Sequence, residues 1–430
     1  MKMFVCTSVA CAALIGLAEG PVVSNVSLAQ SAENGLVEIT YDLAGSDAVV
    51  TLEIQEEVGG LWKTLTGEAF TDDFAGDVAV KVSVGTGKKV FWRPAIAGTV
   101  SSRKYRPVLT AYPTDNPPDY MGVDLASGAL RFYSNSNTVP YGVKSRFWKL
   151  DRMLMRKIPA KGVVWMMGSP DGVSYKGPDG TDGAEYHREA AKEYPHKVRL
   201  TYDYYVGVFE LTRRQHFVLT GSWASNGHAT VDDQVMPAGY LDVGPTRQAT
   251  NNSNPCKLLW ENSGVTSFGI LSEAEWEYAC RGGQGAAFNC GGKQGNNKDE
   301  CWTASGPANK TAVYNTKAGP KEGGSKIPNA FGLYDMHGKL AEWVRDTFTK
   351  GDDYTATFAE GWEDGAVTEN PEVTSVVPYG GYTYSTCRGG KYDQVSVYCR
   401  SAVRENRQAW LTANPAYGLR LMCRAEDVIK

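Results

Sequence analysis

Between Val22 and Tyr112 the chain is written in short runs with a period of two, and beyond Ile158 that period gives way to glycine-rich loops with only a few helical patterns. One core cannot serve both textures. The runs VEITYDLAG, AVVTLEIQEEVGG, DVAVKVSVGTGKKVFWRP and RKYRPVLTAYP alternate apolar and polar residues and break at Gly, Asp or Pro, as half-buried antiparallel strands do. About seven such strands in about ninety residues predict an all-β immunoglobulin- or fibronectin-like sandwich over 21–113. It carries no catalytic constellation and reads as a spacer or attachment module. With 430 residues the chain is expected to divide into domains in any case.

The stretch AYPTDNPPDYMGVDL reads as a linker, and 114–157 is taken as that linker with a few further strands such as ALRFYS. The remainder, 158–425, is expected to be an irregular α+β domain. Two helix starts are explicit. In LSEAEWEYACRGG, Ser272 and Glu275 form a capping box and Trp276, Ala279 and Cys280 share one face; in FELTRRQHFVLTG, Thr212 and Gln215 repeat the device. His216 reads as a half-exposed helical residue, and the chain's five histidines have no metal-binding spacing.

The first twenty residues, MKMFVCTSVACAALIGLAEG, combine Lys2, an apolar run from Met3 to Leu17 and small residues at Gly16, Ala18 and Gly20. That is the pattern of a secretory signal peptide, 1–20, so the mature protein is expected to be secreted, periplasmic or at the cell surface. No later run is long and apolar enough to predict a membrane span. A net charge of −4 gives no general attraction for nucleic acid or an anionic membrane. Removing the leader leaves Cys256, Cys280, Cys290, Cys301, Cys387, Cys399 and Cys423, an odd set that allows up to three disulfides and one remaining thiol. Cys290 and Cys301 bracket the loop NCGGKQGNNKDEC and are a plausible pair.

Four motifs then become specific together. VGVFELTRRQHFVLTG, LSEAEWEYACRGG, PNAFGLYDMHGKLAEWVRD and RGGKYDQVSVYCRSAVR, the last followed by YGLRLMCRA, occur in an order that resembles the formylglycine-generating enzyme, or sulfatase-modifying-factor, family over roughly 160–425. The resemblance implies a C-type-lectin-like topology stabilised by calcium and disulfides, Cys280–Cys423 among them. Active members oxidise a sulfatase cysteine to formylglycine with O₂ and copper(I) held by two thiolates, the sulfur donors that a soft ion favours. Carried onto this chain, the second thiol is Cys399 but the first is Gln394, whose amide is a poor ligand for copper(I). The family's Ser after the Gly pair is Lys391, and its His after the first thiol is Val395. Cys387 either compensates or forms a disulfide with Cys399. Copper is therefore not expected.

Calcium is expected, by the same resemblance, at the side chains of Asp335 and Glu342 and the carbonyls of Gly338 and Leu340, all hard oxygen donors. His337 and Lys339 read as loop residues. The leading functional expectation is a secreted module that binds an unidentified protein or glycan through Tyr392, Gln394, Arg400, Arg404 and Trp410. A protein-modifying oxidase using Cys399 and a structural surface or matrix component are the alternatives. N-terminal sequencing of the exported protein is expected to begin at Glu19 or Pro21; a first residue within Met1–Leu17 contradicts the leader.

Overall fold

The computed structural model of the protein describes residues 20–31, 33–94, 104–171, 185, 188–190, 192–224, 230–241, 254–285, 287–288, 301–302, 321–348, 366–373, 384–394, 396–408 and 414–429. Residues 1–19 of the expected leader, Cys290, Trp410 and the side chain of Cys301 lie outside the described set. The chain divides into two compact units, one of 1–123, 129–148 and 425–430, the other of 124–128 and 149–424.

In the first unit, eight strands form two antiparallel sheets. One runs in the order β1 (Val22–Gln30), β2 (Val37–Ala44), β7 (Gly85–Trp92), β5 (Phe74–Gly76). The other centres on β3 (Ala48–Val58), with β4 (Leu61–Thr64), β6 (Lys81–Val82) and β8 (Tyr105–Pro113) as its partners. The period-two reading holds residue by residue on β2, where Val37, Ile39, Tyr41 and Leu43 are buried and alternate with partly exposed neighbours. Gly59 and Gly60, both at positive φ, make the two-residue turn from β3 to β4 that only glycine-like residues accept cheaply. A hairpin of β9 (Tyr120–Asp124) and β10 (Leu130–Tyr133) follows.

In the second unit, β11 (Arg152–Ile158), β14 (Tyr204–Gly207), β23 (Leu421–Arg424) and β15 (Gly269–Ile270) lie side by side in that order. A second sheet orders β21 (Glu405–Gln408), β20 (Tyr384–Arg388), β18 (Ala341–Phe348) and β22 (Tyr417–Gly418). Smaller pairings join β12 (Val164–Met167), β13 (His196–Arg199) and β19 (Val367–Glu369), and β16 (Cys301–Trp302) with β17 (His337–Gly338). The helices among the described residues are short: α1 (Arg213–Thr220), α2 (Val231–Gln234), α3 (Pro255–Ser263) and α4 (Glu273–Arg281). None is long and apolar enough to cross a membrane.

Both predicted capping boxes form. Thr212 caps α1 with Gln215 answering, and Ser272 Oγ accepts from Glu275 N at 3.2 Å while Glu275 Oε2 accepts from Ser272 N at 2.7 Å. Trp276, Ala279 and Cys280 share one face of α4 as expected, and the other faces are buried too, so that all nine of its residues are buried. Trp276, Ala279 and Cys280 enter the apolar cluster with Tyr204, Val206, Val344 and Met422. The charged positions are buried because distant arginines reach them. Glu273 binds Arg404 through Nε at 2.7 Å, Glu275 binds Arg345 at 3.1 Å, and Glu277 binds Arg281 at 2.7 Å and Arg388.

Carboxylates this deep are tolerated only when paired and hydrogen-bonded. Glu277→Ala leaves Arg281 and Arg388 without their common carboxylate, so it is expected to cost about 3–5 kcal/mol in denaturant unfolding. A loss under about 1 kcal/mol would show that the pair is not a structural requirement.

Candidate functional site

The RGG stretch leaves β20 and turns back through Gly389 and Gly390, both at positive φ. Gly390 is obligatory here: a Cβ at that position would lie 2.6 Å from Cys399 Sγ and 2.7 Å from the Tyr398 carbonyl. Cys399 is consequently sealed, with no exposed surface, against Phe288 and Ala287. Cys387 is the next-to-last residue of β20, in register with Trp343 of β18 and Glu405 of β21.

Two of the expected disulfides, Cys280–Cys423 and Cys387–Cys399, are not formed. Cys256, Cys280, Cys387, Cys399 and Cys423 are all buried and none is bridged. For Cys387 and Cys399 the reason is placement, since one sits within the sheet and the other packs on Phe288 beneath Gly390. Cys280 points its sulfur at Ser401 Oγ (3.6 Å) and His337 Nε2 (3.8 Å), while Cys423 sits on β23 opposite Tyr205. The pairing of Cys290 with Cys301 falls outside the described side chains.

His337, expected in a loop, belongs to β17; Lys339 does lie in the loop before β18, and both side chains are buried. His337 Nδ1 donates to the Cys399 carbonyl at 2.7 Å, which fixes the tautomer because a carbonyl only accepts. Burial lowers the His337 pKa to about 4 and pushes the Cys280 thiol up to about 12. Both groups are neutral at ordinary pH, so their proximity is not an activated thiolate–imidazolium pair.

The loop after Gly390 carries a part-buried polar cluster. Lys391 Nζ donates to Glu405 Oε1 at 2.7 Å and to the Tyr417 hydroxyl at 2.8 Å, and that hydroxyl donates to Glu405 at 2.6 Å. Burial and the Glu405 charge hold the Tyr417 hydroxyl well above its ordinary pKa. Gln394 ties the loop to itself, its Oε1 accepting from Lys391 N at 3.0 Å and its Nε2 reaching Glu405 at 3.5 Å. Arg407 lies over the Tyr417 ring at 5.3 Å. Tyr392 is half-buried beside this cluster, and Tyr240 is exposed.

Two residues expected on a recognition surface are internal. Arg400 is 2% exposed and binds Glu193 at 2.8 Å and Glu185 at 2.5 Å; Arg404 is 4% exposed and holds Glu273 of α4. Their guanidinium groups are committed to buried carboxylates. Sequence reasoning passed over Glu405 and Tyr417, which have no local motif and meet only because β21 and β22 flank the same pair of strands.

The two carboxylates expected to hold calcium do not fit that ion, because each is committed to a different partner. Asp335 Oδ2 lies 3.0 Å from Lys339 Nζ and accepts from Gly324 N at 2.8 Å. Glu342 accepts from Arg420 Nη2 at 2.8 Å and Trp276 Nε1 at 2.8 Å. Calcium takes about six to eight oxygens, and both carboxylates of this set already serve fixed cations. Among the described residues no group of three or more His, Cys, Asp or Glu side chains is arranged to hold a metal.

Buried thiols without disulfides predict a simple labelling pattern. In the folded protein Cys256, Cys280, Cys387, Cys399 and Cys423 resist alkylation, and all five react after denaturation without reductant. Native-state labelling of Cys399 would reveal an open site.

Residues 170–425 match the family described as the sulfatase-modifying factor enzyme 1-like domain. The chaperone protein LppX of Paenibacillus barcinonensis is 26% identical over 212 residues, covering 42% of this chain and 69% of that protein. The formylglycine-generating enzyme of Mus musculus is 35% identical over 97 residues, 21% of this chain and only 25% of the enzyme's length. Among solved structures, Treponema denticola variable protein 1 is similar at 19% identity with a TM-score of 0.45, covering 64% of this chain and 95% of that one. PvdO from Pseudomonas aeruginosa is similar at 20% identity with a TM-score of 0.44, covering 63% and 94%. With the match spanning more than half of its length, the chain belongs to the sulfatase-modifying factor enzyme 1-like, or formylglycine-generating enzyme, family.

Proposed function

We propose that this family member is a binding module with no copper oxidase chemistry, and that its partner is a polypeptide met outside the cytoplasm. The observation that carries the reading is the fate of the two positions where the oxidases keep thiolates. Gln394 spends its amide on Lys391 N and Glu405, and Cys399 is fully enclosed under Gly390. Neither position offers a soft donor to an incoming metal or substrate thiol.

The surface left for recognition is Lys391 and Glu405, which rest on the buried Tyr417, with Tyr392, Gln394 and Tyr240 around them. Its two tyrosines at the rim supply apolar area with a polar tip, and Lys391 and Glu405 supply one charge of each sign. A polypeptide partner is in keeping with the relative named a chaperone protein. In this reading the second unit has a lectin-like topology, and the first unit's two sheets are an immunoglobulin- or fibronectin-like sandwich acting as a spacer.

The deciding experiment is oxidation of a cysteine-bearing sulfatase peptide by the purified full chain with copper(I) and O₂. No formylglycine is expected, and copper(I) is expected to bind no more tightly to the wild type than to Cys399→Ser. Turnover that disappears in Cys399→Ser would establish the oxidase instead.

A further inference from the structure

The segment that delivers the recognition loop is itself organised around one buried lysine. Lys339 is 1% exposed, and its ammonium lies 3.0 Å from Glu210 Oε2 and 3.0 Å from Asp335 Oδ2, two carboxylates that are also buried. The backbone around it is bound to the same acids. Glu210 Oε1 accepts from Leu340 N at 3.0 Å, and Asp335 Oδ2 accepts from Gly324 N. Asp335 and Lys339 are both held in the left-handed region, at φ of 60° and 71°, which a non-glycine residue keeps only when its surroundings impose it.

This segment hands its geometry directly to the candidate site. The Lys339 carbonyl accepts from Tyr392 N at 3.0 Å, and Gly338 N donates to the Gly389 carbonyl at 2.6 Å. A cation at Lys339 therefore sets where the 389–394 loop begins and where Tyr392 stands.

We infer that Lys339 is a built-in counter-cation, a tethered ammonium that does for this segment what a bound divalent ion would otherwise do, so that the fold and its recognition loop are independent of metal. Asp335 and Glu210 are hard oxygen donors facing one centre, and a centre of this kind needs positive charge from some source. Here the chain supplies it covalently. A lysine gives one charge and three donors with no dependence on ion concentration, and it leaves Asp335 Oδ1 without a hydrogen bond among the described residues. The inference stands whether or not the loop binds a polypeptide.

Thermal melting of the full chain separates the alternatives. For the wild type, midpoints in millimolar calcium and in excess chelator should agree within about 1 °C, since a ligand that does not bind the native state cannot shift it. A rise with calcium or a fall with chelator overturns the proposal. Lys339→Asn removes the ammonium, supplies a carbonyl oxygen and tolerates the left-handed backbone. Its midpoint should drop by roughly 5–15 °C, and calcium, used alone as the probe, should recover part of the loss through Asp335 and Glu210. A Lys339→Asn midpoint equal to that of the wild type also overturns it. If the variant does not fold, the wild-type comparison decides by itself.

Discussion

Three carboxylates at alternate positions of one buried helix are what the second unit is built around. Glu273, Glu275 and Glu277 of α4 point in different directions, and each is met by an arginine from another part of the chain: Arg404, Arg345 and Arg388. Burying them costs several kcal/mol per ion unless the partners are in place. The helix, the strands β18 and β20 and the segment after Cys399 are therefore locked by one condition. In a domain with so little regular structure, these pairs supply the specificity that long ladders supply elsewhere.

The 389–394 loop inherits this rigidity from two sides. Arg388, the last residue of β20, is fixed to Glu277 and also donates to the Val403 carbonyl at 2.8 Å, so both ends of the loop and its return are anchored. Gly389 and Gly390 then turn the chain over Cys399 at a distance that no side chain permits. From below, the Lys339 carbonyl holds Tyr392. The Lys391–Glu405–Tyr417 cluster stands on this platform, and under the proposed binding role that prearrangement would limit the ordering cost of association.

Much of the local structure was legible because it depends on neighbours in sequence. The capping boxes at Thr212–Gln215 and Ser272–Glu275 are three-residue devices, and the alternation on β2 is a two-residue one. Burial of charge was not legible. Glu273 and Arg404 are 131 residues apart, and nothing near either one announces the other. The same blindness put Arg400 on a surface, made His337 a loop residue rather than part of β17, and could not show what Asp335 and Glu342 touch. Spacing in sequence showed that these acids were present without showing that Lys339 and Arg420 already held them.

The cysteines make the division plain. By itself the sequence determined the family, the helix starts, the strand texture of the first unit and the loss of a thiolate at Gln394, because motif order, period and residue identity are properties of the chain. Only the tertiary structure decided that Cys387 and Cys399 stay apart, that Cys399 is sealed beneath Gly390 and that the acids near Lys339 are neutralised from within. Those outcomes depend on which atoms meet once the chain is packed, at separations from 4 residues for Asp335 and Lys339 to more than a hundred for Glu210 and Lys339, and no local pattern settles them.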